Sequence, residues 1–438
     1  MNEIEDTNAT VDTEDGAAGD AEQGLLFSLK ALRSAIAVVS HGSTARAAVA
    51  INKSATAITR NIQMLEATLG LPLFERHTRG MVPTAAGRIV VARATRALDQ
   101  LELGAQEVRE LAASGEEARE ARDTRPSRLA RMVNERLLFV LIAVTETGSA
   151  TQAAERLQLS QPAVSQSLRD LEHLVGASLV ERTSRGVRLT EAGEILLRRI
   201  KLTLMELRVA EEEIASIQGV LHGRVTVASL PYASVDLVPQ AVTQFLGLHP
   251  HINVAVIDGT YDFLIDQLRN ADIDMIVSTL RPSVADDLEQ EALFDDTLCV
   301  VCRAGHPYST MERLALRDVV DARWVVPLPN TGTRTSFEAA FRSEDLDLPP
   351  VRLEVHNPMA VRSILLKSDY LALLCTHQVR SELAAGQLTV LPIALRGTER
   401  RIGLTLRRDG SPSPGVKALR EELRLTARAL ERESAVPL

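Results

Sequence analysis

With 438 residues, 45% of them hydrophobic, the chain holds enough apolar material for two or three globular domains with sizeable cores. Its formal net charge of −9 would argue against a nucleic-acid partner if it were spread evenly. It is not: residues 1–24 carry about 8 acids and no base, residues 25–200 about 24 bases against about 18 acids, and the remainder is acidic again. Three cysteines exclude a disulfide framework, and no window approaches the roughly 18 consecutive apolar residues of a membrane span. With no basic start leading into an apolar run, the expected location is cytoplasmic, with no membrane partner.

Residues 1–24 are acidic, small and poor in aliphatic side chains, and are expected to be a disordered tail, either solubilising or competing with DNA for the basic segment. A helical pattern starts near Leu25, and with it an internal repeat. Gly42 aligns with Gly148 at an offset of 106 residues, and the register holds from Ala37/Ala143 to Gly87/Gly193 without a gap. Ala47-Ala48 fall on Ala153-Ala154, Ser54 on Ser160, Leu65-Glu66 on Leu171-Glu172 and Arg79-Gly80 on Arg185-Gly186.

The second copy contains the most informative stretch, Ser149 to Glu172 (SATQAAERLQLSQPAVSQSLRDLE). It predicts two short helices and a tight turn. At 100° per residue Val164, Leu168 and Leu171 share one face, while Pro162, Gln166, Arg169 and His173 share the other. Ser160 stands at an N-cap position and Pro162 in the first turn, while the small Ala153 and Ala154 let the preceding helix approach. This is the pattern of a helix-turn-helix, with one face packed and the other free to read DNA. Each copy continues into a short segment expected to be a hairpin wing, with Gly80 and Gly186 at its tip and Arg182, Arg185 and Arg188 placed for phosphates.

A long helix should follow each wing. Ala94, Leu98, Leu101, Ala105, Val108 and Ala112 mark a coiled-coil seam in the first, and Leu197, Ile200, Leu204, Leu207, Glu211 and Ile214 in the second. Charge-rich residues 114–131, interrupted by Pro126, read as a connector. From Gly223 short apolar runs (RVTVAS, INVAVID, IDMIVST, TLCVVCR, RWVVPL, YLALLC) alternate with helical segments, the signature of a mostly parallel sheet covered by helices. Several runs end in small polar residues before an expected helix: Ser229, Thr260, Thr279 and Asn330 to Thr333. Ligands of open α/β sheets bind beyond such strand ends. The expected layout is a tail (1–24), a first winged head with its linker helix (25–113), a connector (114–131), a second head with its helix (132–221) and an α/β effector domain of two lobes (222–438).

Taken together, AVTETGSATQAAERLQLSQPAVSQSLRDLEHLVGASLVERTSRGVRLTEAG, the long helix after it and the entry HGRVTVASLPYASVDLVPQAVTQFLGLHP resemble the LysR-type transcriptional regulators. ASLPYAS, YDFLIDQLRNADIDMIVSTLRP and CRAGHP are similar to the galactose-binding-protein regulator branch. The resemblance implies a periplasmic-binding-protein-like domain with an effector between its lobes. It also implies that Gln161, Pro162, Ser165, Gln166 and Arg169 lie on the reading helix, and that Arg182 and Arg185 hold backbone phosphates. Gln pairs bidentately with adenine and Arg with guanine. Members of the family ordinarily carry one head; this chain carries two. In the first, Ser54, Thr56, Thr59, Arg60 and Gln63 take the reading positions and Arg76 and Arg79 the wing, so that head either reads different bases or serves dimerisation.

For the effector, a sugar, aromatic acid or other small anion, the expected contacts are Ser229, Thr279, Asn330, Thr331, Gly332 and Thr333, with Asn357 and Thr376; each alone is equally an N-cap. Cys299 and Cys302 sit three apart in an expected strand and so face opposite ways, and His249 and His251 lack ligating company. No catalytic constellation, metal site or cofactor loop is expected, and hence no enzyme. The sequence thus predicts an effector-controlled, DNA-binding, self-associating regulator, with RNA polymerase as a further partner. The rival is a solute-binding or enzymatic α/β protein whose heads serve assembly.

Overall fold

The computed structural model describes residues 27–78, 80–112, 127–184, 186–230, 236–355 and 357–434. The expected tail, most of the connector, and Arg79 and Arg185 lie outside them. The chain divides into two compact units at Ile214/Ala215.

In the first unit one element series occurs twice. The first series is α1 (Leu29–His41), α2 (Thr44–Ala50), α3 (Ala55–Leu69), β1 (Phe74–His77), β2 (Gly80–Pro83) and α4 (Ala85–Ala112). A short helix α5 (Arg128–Met132) leads to the second: α6 (Glu135–Thr147), α7 (Ala150–Arg156), α8 (Gln161–Val175), β3 (Val180–Thr183), β4 (Gly186–Leu189) and α9 (Glu191–Ile217). Local chemistry sets the boundaries. The hydroxyls of Ser43, Ser54, Ser149 and Ser160 each accept a backbone N–H of the first helical turn that follows. Gly42 and Gly148 close the preceding helices in the left-handed region.

The wings dock by the same bonds in both heads. Met81 N–H donates to the Gly42 carbonyl at 3.0 Å and Val187 N–H to that of Gly148 at 2.8 Å. A Cβ at Gly80 would stand 2.2 Å from the Gly42 oxygen, and one at Gly186 2.6 Å from the Gly148 oxygen. Both glycines take the positive φ expected of them, 133° at Gly80 and 118° at Gly186, where they pair with His77 and Thr183, and both also allow this close approach to the first helix of each head. The Leu-Glu pair seen twice in the sequence has a role as well: Glu66 accepts Leu73 N–H at 2.8 Å, and Glu172 accepts Leu179 N–H at 2.9 Å.

Helices α4 and α9 pack on each other inside the chain. Thr203 Oγ1 donates to the Ala97 carbonyl at 3.1 Å, and a Cβ at Gly104 would lie 3.0 Å from Arg199 Cβ. The contact is wider than a two-position seam. Arg93, Ala97 and Gly104 are buried beside Ala94, Leu101 and Val108, whereas the expected Ala112 is exposed. The end of the expected connector is structural too: Leu129 and Val133 are fully buried, and Arg33 donates to the carbonyls of Ala130 and Val133 at 2.9 and 2.8 Å.

The second unit has two lobes. The first begins with β5 (Gly223–Ser229), α10 (Leu237–Leu248), β6 (Ile252–Asp258), α11 (Tyr261–Arg269), β7 (Met275–Thr279) and β8 (Leu288–Thr297). The chain crosses at Leu298 into β9 (Cys299–Arg303), β10 (Arg323–Val326), α12 (Gly332–Arg342), β11 (Leu353–Glu354), α13 (Pro358–Lys367), β12 (Tyr370–Leu374), α14 (Arg380–Ala384) and β13 (Leu388–Val390). It returns through β14 (Glu399–Arg407) to the closing helix α15 (Pro414–Ser434). The two sheets have orders β6-β5-β7-β14-β8 and β11-β10-β12-β9-β13.

In each sheet four of the five strands run one way, as expected of a mostly parallel sheet; the exceptions are β14, antiparallel to β7 and β8, and β9, antiparallel to β12 and β13. The physical reason is the double crossing. Strands followed by crossovers run toward the lobe junction, while β9 and β14 receive the chain there and run away from it. The carboxyl ends of β5, β7, β10 and β12 therefore all point at the junction, where α/β sheets hold ligands. Cys299 and Cys302 face opposite sides of β9, in separate apolar clusters, and burial raises their thiols to about 12 and 11. They remain protonated core groups.

Candidate functional site

The first candidate surface is the exposed side of α8. Val164, Ser167, Leu171 and Val175 are buried, with Leu168 half buried beside them; Pro162, Gln166, Arg169 and His173 are exposed. The small Ser167 takes the buried place at that turn. The outward side chains order one another: Gln161 Nε2 donates to Ser165 Oγ at 2.9 Å, Gln166 Nε2 to Asp170 Oδ1 at 2.8 Å, and Arg169 Nη2 to Gln166 Oε1 at 2.8 Å. Asp170 was missed by sequence reasoning, although its i, i+4 spacing from Gln166 is the available signal. Arg182 and Arg188 are exposed on the adjoining wing. The donor and acceptor forks thus sit on a rigid helix beside fixed cations, which suits major-groove edges flanked by phosphates.

The exposed side of α3 carries Thr56, Arg60 and Gln63, over buried Ile58, Ile62 and Leu65. Two first-copy candidates are committed locally. Ser54 Oγ caps Ala57 N–H at 3.1 Å, and Thr59 Oγ1 donates to the Ala55 carbonyl at 3.0 Å. Arg76 is exposed on the first wing.

The second candidate site is the lobe junction. Ser229 and Thr279 end strands on either side of one pairing, since Ser229 is registered with Val277 and Thr279 with Ile402 of β14. Thr279 precedes a loop and strand β8 rather than the expected helix. From the second lobe, Asn330 (φ 65°) and the open backbone of Gly332 flank Thr331, and Thr376 is exposed just after β12. Thr331 and Asn357 act as caps, accepting Arg334 N–H at 3.2 Å and Met359 N–H at 2.8 Å. Thr333 is buried, and its Oγ1 accepts from Arg400 Nη1 at 3.4 Å.

Arg400 ties the two lobes. From the start of β14 its Nε donates to Asp296 Oδ2 at 2.6 Å across the strand pair, and its Nη2 to Cys375 Sγ at 3.0 Å in the other lobe. His377 lies 3.6 Å from Asp296, and its Nε2 is buried with no hydrogen-bond partner among the described residues. Asp296, Cys375 and His377 present ligand atoms within 4.8 Å of one another, yet the guanidinium already supplies the positive charge that a metal ion would bring. Sequence reasoning missed this group because nothing in "ERRIGLTLR" distinguishes a buried arginine from exposed ones. Nearby, Arg281 stacks on the Tyr261 ring at 3.3 Å.

Residues 29–88 and 136–194 each match the family described as bacterial regulatory helix-turn-helix protein, lysR family, and residues 218–428 match the LysR substrate binding domain. The HTH-type transcriptional regulator GalR of Pseudomonas putida is 35% identical over 395 residues, 90% of this chain and 96% of its own length. PcaQ of Agrobacterium fabrum, another HTH-type transcriptional regulator, is 30% identical over 301 residues, 68% of this chain and 97% of its own. Among solved structures, ArgP of Mycobacterium tuberculosis superposes with a TM-score of 0.54 at 20% identity, covering 68% of this chain and 98% of that one. The similarity to GalR over 90% of this chain, with the three segments matched by the LysR-family models, establishes that this chain belongs to the LysR family of DNA-binding, effector-responsive transcriptional regulators.

Proposed function

We propose that both heads bind double-stranded DNA and that a sugar, aromatic acid or other small anion at the lobe junction sets how they do so. The carrying observation is convergence: strands of both lobes end at Ser229, Thr279 and, just past β12, Thr376, and Arg400 of β14 bonds Asp296 in one lobe and Thr333 and Cys375 in the other. An effector contacting both strand-end sets favours the closed arrangement by its differential affinity for it. Gln161, Gln166 and Arg169 read bases in the second head, Thr56, Arg60 and Gln63 in the first, and the wing arginines hold phosphates. Self-association through the sensory domain and contact with RNA polymerase complete the reading, with the protein located on the nucleoid.

The test uses the full chain. Specific gel shifts that weaken steeply with salt support the reading. A thermal-shift screen of sugars, aromatic acids and small anions then identifies ligands. A ligand that raises the melting temperature but leaves footprints and affinity unchanged overturns effector control.

A further inference from the structure

The packing of α4 on α9 obeys an internal two-fold relation, and it does so at the level of single hydrogen bonds. Arg93 Nε donates to Glu213 Oε2 at 2.9 Å and its Nη1 to Glu206 Oε2 at 2.8 Å. At the positions related by the sequence repeat, Arg199 Nε donates to Glu107 Oε2 at 3.0 Å and its Nη1 to Gln100 Oε1 at 2.7 Å. Each helix gives an arginine and receives one in return, the reciprocity of an isologous dimer interface formed here within one chain. Near the middle, Thr203 bonds Ala97, two residues that are themselves related by the repeat.

Two departures from symmetry specify unlike partners. Gly104 lies against Arg199, where a Cβ would be 3.0 Å from Arg199 Cβ and 3.1 Å from its Cγ. The related residue of α9 is Ala210, so pairing α9 with a second α9 would put a real Cβ at a distance tighter than most real Cβ contacts, one the facing arginine would have to yield to by a few tenths of an ångström. The join between the copies is also packed for this arrangement. Ser127 N–H donates to Glu102 at 2.7 Å, Leu129 is fully buried, and Leu29 N–H donates to Glu135, again a pair related by the repeat. A tether that short holds the second copy at an effective concentration on the order of millimolar, above that of any other chain at ordinary protein concentrations.

We infer that a single chain presents its two heads as a closed, asymmetric pair, and that the DNA it fits is one duplex carrying two unlike half-sites. The reading faces differ at each aligned position, Thr56 against Pro162, Thr59 against Ser165, Arg60 against Gln166 and Gln63 against Arg169. The inference rests on the regulator reading above, in that both heads bind DNA.

The experiment joins two measurements on the full chain. First, Ala97→Cys with Thr203→Cys is oxidised by copper phenanthroline at micromolar protein, with each single variant as control. A closed monomer on non-reducing gels is expected; a covalent dimer overturns the pairing. Second, an operator obtained by in vitro selection is compared with two palindromes, each made by duplicating one half. At least tenfold weaker binding of both palindromes is expected, whereas equal or tighter binding of either one overturns the asymmetric site. Failure to bind any DNA at low salt would instead sink the regulator reading, and the crosslink result would stand apart from it.

Discussion

Arg169 shows how a single side chain is prepared for function. It is exposed, it bonds Gln166, and Gln166 is itself held by Asp170, so under the proposed reading role the guanidinium would meet a base edge with less ordering cost. Arg169→Ala is expected to cost about 1–3 kcal/mol of DNA affinity and to relax preference at one position of the second half-site only, with thermal stability unchanged. A uniform loss across sequences in a binding selection would assign the residue to phosphate instead. His377 makes a different point. Burial lowers its pKa; Asp296 and Asp236 oppose that, and Arg400 and Arg380 reinforce it, so the folded ring is neutral at neutral pH. The unfolded chain takes up the proton first as pH falls below the ordinary histidine value of about 6.5, so the stability held by the neutral ring is present above that value and is lost toward acid. His306 is lowered in the same direction, again chiefly by burial. His377→Gln should therefore shrink, without abolishing, the drop in unfolding temperature between pH 7.5 and 5.5; a variant that keeps the whole drop would exclude His377.

At the scale of elements, the wings depend on backbone contact. A Cβ at Gly193 would lie 2.0 Å from the Leu179 carbonyl oxygen, and one at Gly87 2.0 Å from that of Leu73. Gly193→Ala should displace the second wing, destabilise by about 1–3 kcal/mol and weaken DNA binding together with stability. Gly176→Ala is a useful contrast: it meets nothing within 4 Å but has φ +83°, so its cost of about 1–2 kcal/mol is purely conformational and DNA binding should survive. Circular dichroism melts beside gel shifts separate the two. The repeat made these glycines visible in the sequence, but not their reason. Spacing predicted positive φ at Gly80 and Gly186, which the structure has, and the position of the neighbouring helix added a contact that spacing could not show.

For the whole molecule, the pairing of α4 with α9 hangs on buried charge. Arg93 is fully buried between Glu206 and Glu213, whereas Arg199 is 18% exposed and faces one carboxylate and one amide. Arg93→Met removes the fully buried cation from Glu206, which keeps its contact with the partly exposed Arg96, and from Glu213, and should cost about 3 kcal/mol, the low end for a broken buried pair, with Arg199→Met costing distinctly less. Chemical denaturation of both variants checks the order, and equal losses would refute it. The proposed DNA surface makes a separate prediction about salt. Arg182→Gln should reduce the slope of log affinity against log salt by about 1, leaving base preference intact.

Local rules determined much of this protein on their own. Caps at Ser54 and Ser160, the apolar face of α8, the two wings and strands β5, β6, β7, β9, β10 and β12 follow from residue type and spacing, because each is decided within a turn or a strand. Regulatory character was legible for the same reason, since a reading helix must expose what its packing face does not need. Tertiary structure alone decided the rest. The antiparallel strands β9 and β14 depend on where the chain crosses between lobes. Arg400 and Arg93 are buried only because Asp296, Glu206 and Glu213 arrive from distant segments to neutralise them. No window of sequence contains both partners of such a pair, so no periodicity could announce that α4 and α9 would meet within one chain.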